Sequence, residues 1–351
     1  MTSAISRRHL LAGFAAQAVR LPRKVRVALV GLQGHPGEIT AHVPRVPDLE
    51  LVGVCDDDLR DAERTLQRAK SNGKAYTDWR QMLDREKPDL VAACNPADQR
   101  PAVILESIKR GLPWIAEKPL SNERPLLDEI RAALKKNPVR YSMLLPMRFD
   151  PQFLALRRFV EAGEIGEVAQ ISAQKSYKAG DRPVWMRNHR SYGGTFPWIG
   201  IHMIDLMRFT SGREFKSVMA MQAQVDAPVG IGEMENTTGA IFRMDNNGVA
   251  TLHMDYYRPE SAKTHGDDRL RLAGGKGVVE YMAATGVTLI TGAKGEQVIT
   301  DLPARKSVFL DFIESVYLGR PQTLTEADIW RNCEISLACR DAADSGAPVK
   351  L

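Results

Sequence analysis

Over 351 residues the chain carries 48 Lys and Arg against 43 Asp and Glu, a formal net charge of +5. Five of the basic residues (Arg7, Arg8, Arg20, Arg23, Lys24) stand in the first 24 positions, which hold no acid; from Val25 onward the signs balance at 43 each, so nothing calls for a nucleic-acid partner. The 44% hydrophobic and 26% charged residues are those of a globular chain of about two domains. No apolar run reaches the ~18 residues of a membrane span, and four cysteines without a C-x-x-C pair argue against a disulfide framework or a metal cluster.

Ser6-Arg7-Arg8-His9-Leu10-Leu11, a weakly apolar stretch to Phe14 and Ala16-Gln17-Ala18 have the layout of a twin-arginine export signal. Residues 1–24 are therefore expected to be a leader and the protein periplasmic; the alternative is a basic tail on a cytoplasmic protein. Val25 to Val30 reads as a buried parallel strand ending at Gly31. A helix is expected from about Glu38, a strand over Leu49 to Cys55, helices over Asp61 to Lys70 and Asp78 to Leu83, and a strand over Asp89 to Cys94. Then come a helix (Pro101 to Arg110) and strands over Pro113 to Ala116 and Tyr141 to Leu145. This alternation predicts a doubly wound α/β parallel sheet over residues 25–148.

Beyond Arg148 the pattern changes. A helix (Pro151 to Ala162) precedes alternating segments over Val168–Tyr177, Ser217–Val225, Thr237–Met244, Gly248–Tyr256, Arg269–Ala273, Gly277–Tyr281 and Val287–Thr291, several joined by Asn/Gly turns. They predict an α+β domain over residues 149–305 with one open, antiparallel sheet. Helices over Val308 to Leu318 and Thr325 to Asp344 close the chain within residues 306–351 and are expected to pack back towards the first domain.

Three stretches carry chemistry. Gly31-Leu32-Gln33-Gly34-His35-Pro36-Gly37 joins the first strand to the first helix, where glycines let the backbone approach a pyrophosphate and the helix offers free N–H groups. Gln33 and Pro36 stand where G-x-G-x-x-G has its second and third glycines. Asp56, 19 residues past Gly37 at the end of the second strand, is placed to accept both ribose hydroxyls, which favours NAD over NADP; Asp57 and Asp58 read as caps of the next helix. Glu117-Lys118-Pro119 lies at the carboxyl edge of the sheet, where Lys118 would donate a proton or clamp a substrate hydroxyl. In Gly193-Gly194-Thr195-Phe196-Pro197-Trp198-Ile199-Gly200-Ile201-His202-Met203-Ile204-Asp205, the last acid and His202 are three apart and share a helix face.

From Val25 to Leu351 these segments, with Arg148-Phe149-Asp150-Pro151, Gly163-Glu164-Ile165-Gly166 and the closing Ser345-Gly346, resemble the glucose–fructose oxidoreductase, inositol dehydrogenase and rhizopine-catabolism (Gfo/Idh/MocA) family. The resemblance implies an NAD-binding Rossmann domain, an open-sheet substrate domain through which homodimers or homotetramers form, and hydride transfer on a sugar or cyclic polyol. It implies catalytic roles for Lys118 and His202. Cofactor contacts are expected from Gly31, Gln33, Gly34, His35, Asp56, Asn95, Pro96, Glu117, Lys118 and Arg148, and substrate contacts from Arg148, Trp185, Arg187, Trp198, His202 and Asp205; no metal is expected. His202 would take the hydroxyl proton and Lys118 polarise the same oxygen, with Arg148 as the cation that lowers the lysine's basicity. The chain departs from the family at the glycine turn, at Asn95-Pro96-Ala97-Asp98 in place of Thr-Pro-Asn-His, and at Trp198, where many of its dehydrogenases have Asp. Two rival readings follow: a redox-neutral, NAD-dependent glycosidase or lyase working through a transient keto-sugar, and a non-catalytic ligand sensor.

Overall fold

The structure, a computed structural model, describes residues 19–351; the paired-arginine motif and the A-x-A site lie outside the described residues. Six short parallel strands, β1 (Val25–Val30), β2 (Leu49–Cys55), β3 (Lys74–Tyr76), β4 (Leu90–Ala93), β5 (Trp114–Ala116) and β6 (Tyr141–Met143), form a sheet in the order β3-β2-β1-β4-β5-β6. Their residues are mostly apolar, as befits strands covered by helices on both faces: α1 (Gly37–Thr40), α2 (Leu59–Arg68), α3 (Trp79–Glu86), α4 (Arg100–Lys109) and α5 (Arg124–Lys136). The order reverses direction between β1 and β4, which opens a crevice at the strands' carboxyl ends. Asp58 and Asp78 cap α2 and α3 by accepting backbone N–H bonds. The helix expected from Glu38 is a single turn, and β3 and α5 have no counterpart in the sequence reading.

After α6 (Pro151–Glu161), nine strands make the second sheet: β7 (Val168–Tyr177), β8 (Phe215–Ala223), β9 (Thr237–Met244), β10 (Val249–Asp255), β11 (Gly266–Gly274), β12 (Gly277–Met282), β13 (Gly286–Thr291), β14 (Gly295–Ile299) and β15 (Val349–Lys350), in the order β14-β13-β12-β11-β7-β10-β9-β8-β15. The sheet is mixed: β7 and β10 run parallel at its centre, from Gln170 opposite Val249 to Ser176 opposite Asp255. The long excursion between β7 and β8, which carries α7 (His189–Tyr192) and α8 (Ile201–Ser211), makes this pairing possible, because a parallel pair needs a crossover. One face packs on α6, α8 and the long α10 (Glu326–Ser345); the other carries exposed Met219, Met221, Ile241 and Val249.

Two large cores and a smaller cluster around Trp198 result, and α10 stitches the two large ones. Ile329, Cys333 and Leu337 join α9 (Val308–Leu318) in the first core, whereas Ile335, Ala338, Cys339 and Ala342 belong to the second. Leu21 is buried against the first domain, its N–H bonded to Asp48. In the second core Phe242 is buried and stacks on Phe215 with ring centroids 4.5 Å apart. Phe242→Ala is expected to cost about 3–5 kcal/mol of stability, read as a lowered urea midpoint.

Candidate active site

The glycine turn, the end of β5 and the start of α8 converge. Gly31 and Gly34 both have positive φ, and each is pressed by a neighbour: a Cβ on Gly31 would stand 2.4 Å from Asn95 Cα, and one on Gly34 2.4 Å from Glu117 Cδ. The turn therefore lies directly on Glu117. That carboxylate accepts the backbone N–H groups of His35 and Lys118, each at 3.0 Å, and also pairs with His35 Nδ1. Burial alone would raise its pKa, but His35, Lys118 and Arg100 outweigh burial and hold it below the usual carboxylate range.

Lys118 follows, 1% exposed. Its Nζ donates to the carbonyl oxygen of Trp198 at 2.6 Å, sits 3.3 Å from the centroid of the Trp198 ring and lies 3.8 Å from Glu117 Oε2. Burial brings its pKa down to about 7; Glu117 resists the fall, and Arg100 and Lys175 add to it. Trp198 belongs to a π-helical turn, Phe196–Gly200, that runs into α8, and such turns recur at functional sites. One turn on, His202 is buried with its Nδ1 unpartnered, and its ring meets His35 edge-on at 5.1 Å. Burial, Lys118, His35 and Lys175 all push its pKa well below that of a free imidazole, so it is neutral at physiological pH.

The structure changes the assignment of Arg148. Its guanidinium is wholly committed: to Asp205 through Nε at 3.0 Å and through a second N–H, to Asp328 at 3.1 Å and to the Thr323 carbonyl at 3.2 Å. Arg148 and Asp205 are both 1% exposed and neutralise each other, with Asn332 also donating to Asp205. The cations that act on Lys118 are instead Arg100 and Lys175. Lys175 is buried on β7 with its Nζ 3.0 Å from Asp268, whose charge outweighs burial and raises the lysine's pKa. Lys175 had a sequence signal, a charge at an inward position of an alternating strand (Ile171, Ala173, Lys175); Arg100, bonded to the Asn95 and Pro119 carbonyls, had none. Arg187 is held within its own loop, by the Arg182 carbonyl at 2.9 Å and Asp181 at 3.0 Å. Trp185 reaches across to the first domain and donates to Gln33 Oε1 at 2.8 Å.

Two adjoining cavities of about 390 and 370 Å³ share Gln33 and Asp56 and run along the crevice; the second is also lined by Gly31, Asn95, Pro96 and Trp185. Asn95 Oδ1 is buried there without a partner, and Asp56 is half-buried, its carboxyl pKa raised by burial. No group of three or more metal-binding side chains and no helix long and apolar enough to cross a membrane is found among the described residues.

The profile of the oxidoreductase family with an NAD-binding Rossmann fold matches residues 25–144, and that of the Gfo/Idh/MocA C-terminal domain matches residues 153–280. A solved Thermotoga maritima structure assigned to the oxidoreductases is 31% identical, with a TM-score of 0.87 over 93% of this chain and 100% of its own. This chain belongs to the Gfo/Idh/MocA family. Curated relatives include the myo-inositol 2-dehydrogenase of Thermotoga maritima, 24% identical over 93% of this chain and 98% of its own. The NAD(+)-dependent scyllo-inositol 2-dehydrogenase of Bacillus subtilis is 26% identical over 94% and 97%.

For this family member the crevice fits a dinucleotide. Gly31 and Gly34 bring the backbone close, Asp56 stands where ribose hydroxyls would be bound, and the orphaned Asn95 Oδ1 awaits a donor. Asp205, by contrast, serves the buried ion pair. Asp205→Ala, which strands Arg148 in the core, is expected to lower the unfolding free energy by about 3–5 kcal/mol in urea titrations.

Proposed function

We propose that this protein is an NAD-dependent oxidoreductase that moves a hydride between nicotinamide and a CH–OH carbon of a sugar or cyclic polyol. The observation that carries the reading is the dry seat of Lys118, beside a neutral His202 at the carboxyl edge of a dinucleotide crevice. Both curated relatives above act on inositols, which supports a polyol. A sensor has no use for a lysine held near neutrality, and the relatives reported are dehydrogenases rather than glycosidases.

Bound nicotinamide supplies the hydride acceptor. The chain's own part is the proton. With a pKa of about 7, the Lys118 amine is half free base at neutrality, and its N–H bond to the Trp198 carbonyl fixes the amine's orientation. His202, whose surroundings oppose a positive charge, is the weaker base; with Nδ1 uncommitted it hydrogen-bonds the substrate hydroxyl. Lys118 therefore takes the hydroxyl proton, an exchange of the roles expected from the sequence. Asp56 would hold the adenosine ribose of bound NAD and would disfavour NADP by repelling its 2′-phosphate. The exposed apolar patch of Met219, Met221, Ile241 and Val249 supports a homodimer or homotetramer through the open sheet face, and the paired-arginine leader supports export by the twin-arginine route.

Alcohol oxidation needs the free amine, so its kcat/KM is expected to rise with pH through about 7 and level off, while ketone reduction falls over the same range. Lys118→Met is expected to lower kcat/KM by about 10²–10⁴-fold, followed as NADH absorbance on a panel of inositols and glycosides; full activity in that variant would sink the assignment. Asp56→Ala is expected to weaken NAD about 10- to 100-fold by calorimetry and to narrow the preference over NADP.

A further inference from the structure

Gln33 of the glycine turn and Trp198 at the head of α8 meet through a third side chain. Gln33, in the glycine turn, accepts the indole N–H of Trp185 at 2.8 Å. Trp185 packs edge-on against Trp198, with ring centroids 4.8 Å apart. Trp198 in turn covers Lys118, with the ring face 3.3 Å from Nζ and the carbonyl oxygen 2.6 Å from it. Trp198 is 5% exposed, buried with Tyr192, Ile231, Met234 and Tyr256, so the indole has a walled position. The contacts thus run without a break from the cofactor turn of one domain to the reactive amine at the domain junction.

We propose that Trp198 is a positioning residue for Lys118, held in place through Trp185 by Gln33. Three physical effects meet in the seat. The indole excludes water, which disfavours the ammonium. Its π face attracts a cation, which keeps the protonated form accessible. The carbonyl accepts one N–H and so fixes the rotation of the amine. A carboxylate at that position would favour the charged lysine far more strongly and make it a poor base at neutral pH. The titratable and charged groups that face the amine are Glu117, Arg100, Lys175 and His202, with His35 behind Glu117.

The proposal rests on Lys118 being the acid–base group, and the test separates the two ideas. Cofactor-free protein labelled with 5-fluorotryptophan carries a ¹⁹F reporter at each of its five tryptophans, and the signal lost in Trp198→Phe is the one that reports the seat. That signal is expected to titrate with a midpoint near pH 7 and to stop doing so in Lys118→Met. In Gln33→Ala the midpoint is expected to move upward. In turnover, Trp198→Ala admits water and is expected to raise the lower pH limb of alcohol oxidation by about one pH unit or more, whereas Trp198→Phe keeps it within a few tenths. A Trp198 signal indifferent to Lys118, or a limb unmoved in folded Trp198→Ala, overturns the positioning role. A fully active Lys118→Met overturns the catalytic reading instead, and leaves the ¹⁹F titration to judge the seat by itself.

Discussion

The site depends on one costly condition: a lysine amine kept almost wholly out of water. An isolated ammonium cannot be buried without a large penalty, and here the penalty is divided. Glu117 supplies a counter-charge, Trp198 a carbonyl and a π face, and the balance emerges as weakened proton affinity. Other features of the crevice follow from this. Glu117 must stay ionised, so it collects N–H groups and the His35 ring; the turn above it must pass so closely that Gly34 leaves no room for a Cβ. His202 must stay neutral because it shares the space with two lysines and His35.

The division of charge extends into the scaffold. Arg148, Asp205 and Asp328 form a buried network whose members join the segment after β6, the middle of α8 and the start of α10. It holds α8, and with it His202, against both domains. A buried ion pair of this kind adds little net stability compared with apolar packing, yet breaking half of it is damaging. It ties together three elements that belong to two cores.

Much of this was legible from the chain. The alternation of apolar strands and helices marks the first domain, the period-two segments mark the second sheet, and β7, β9 and α9 lie where the pattern puts them. Glu117, Lys118 and His202 stand out because short motifs tie them to a strand end and a helix face. Other features were out of reach for a physical reason. Arg148 and Asp205 are 57 residues apart, and nothing local tells that each is the other's partner rather than a ligand's. Trp198 and Lys118 meet across 80 residues, so the seat exists only once the domains are docked. The parallel pairing of β7 with β10 depends on a crossover whose return point no local pattern specifies.

That parallel pair gives the second sheet two unlike ends. At one end the connections are tight: Asp245 to Gly248 and Gly275 to Lys276 turn the chain in a few residues. From the other end, where β7 and β10 both finish, the long segments 224–236 and 256–265 start and return, and 178–214 starts there and crosses the sheet face through α8 to reach β8; together they carry Trp185, Trp198, Ile231 and Met234. The tight-turn rim, with only a few residues between strands, has no room to change without shifting register, whereas the long segments of the other rim can change length while the pairing of the strands stays as it is.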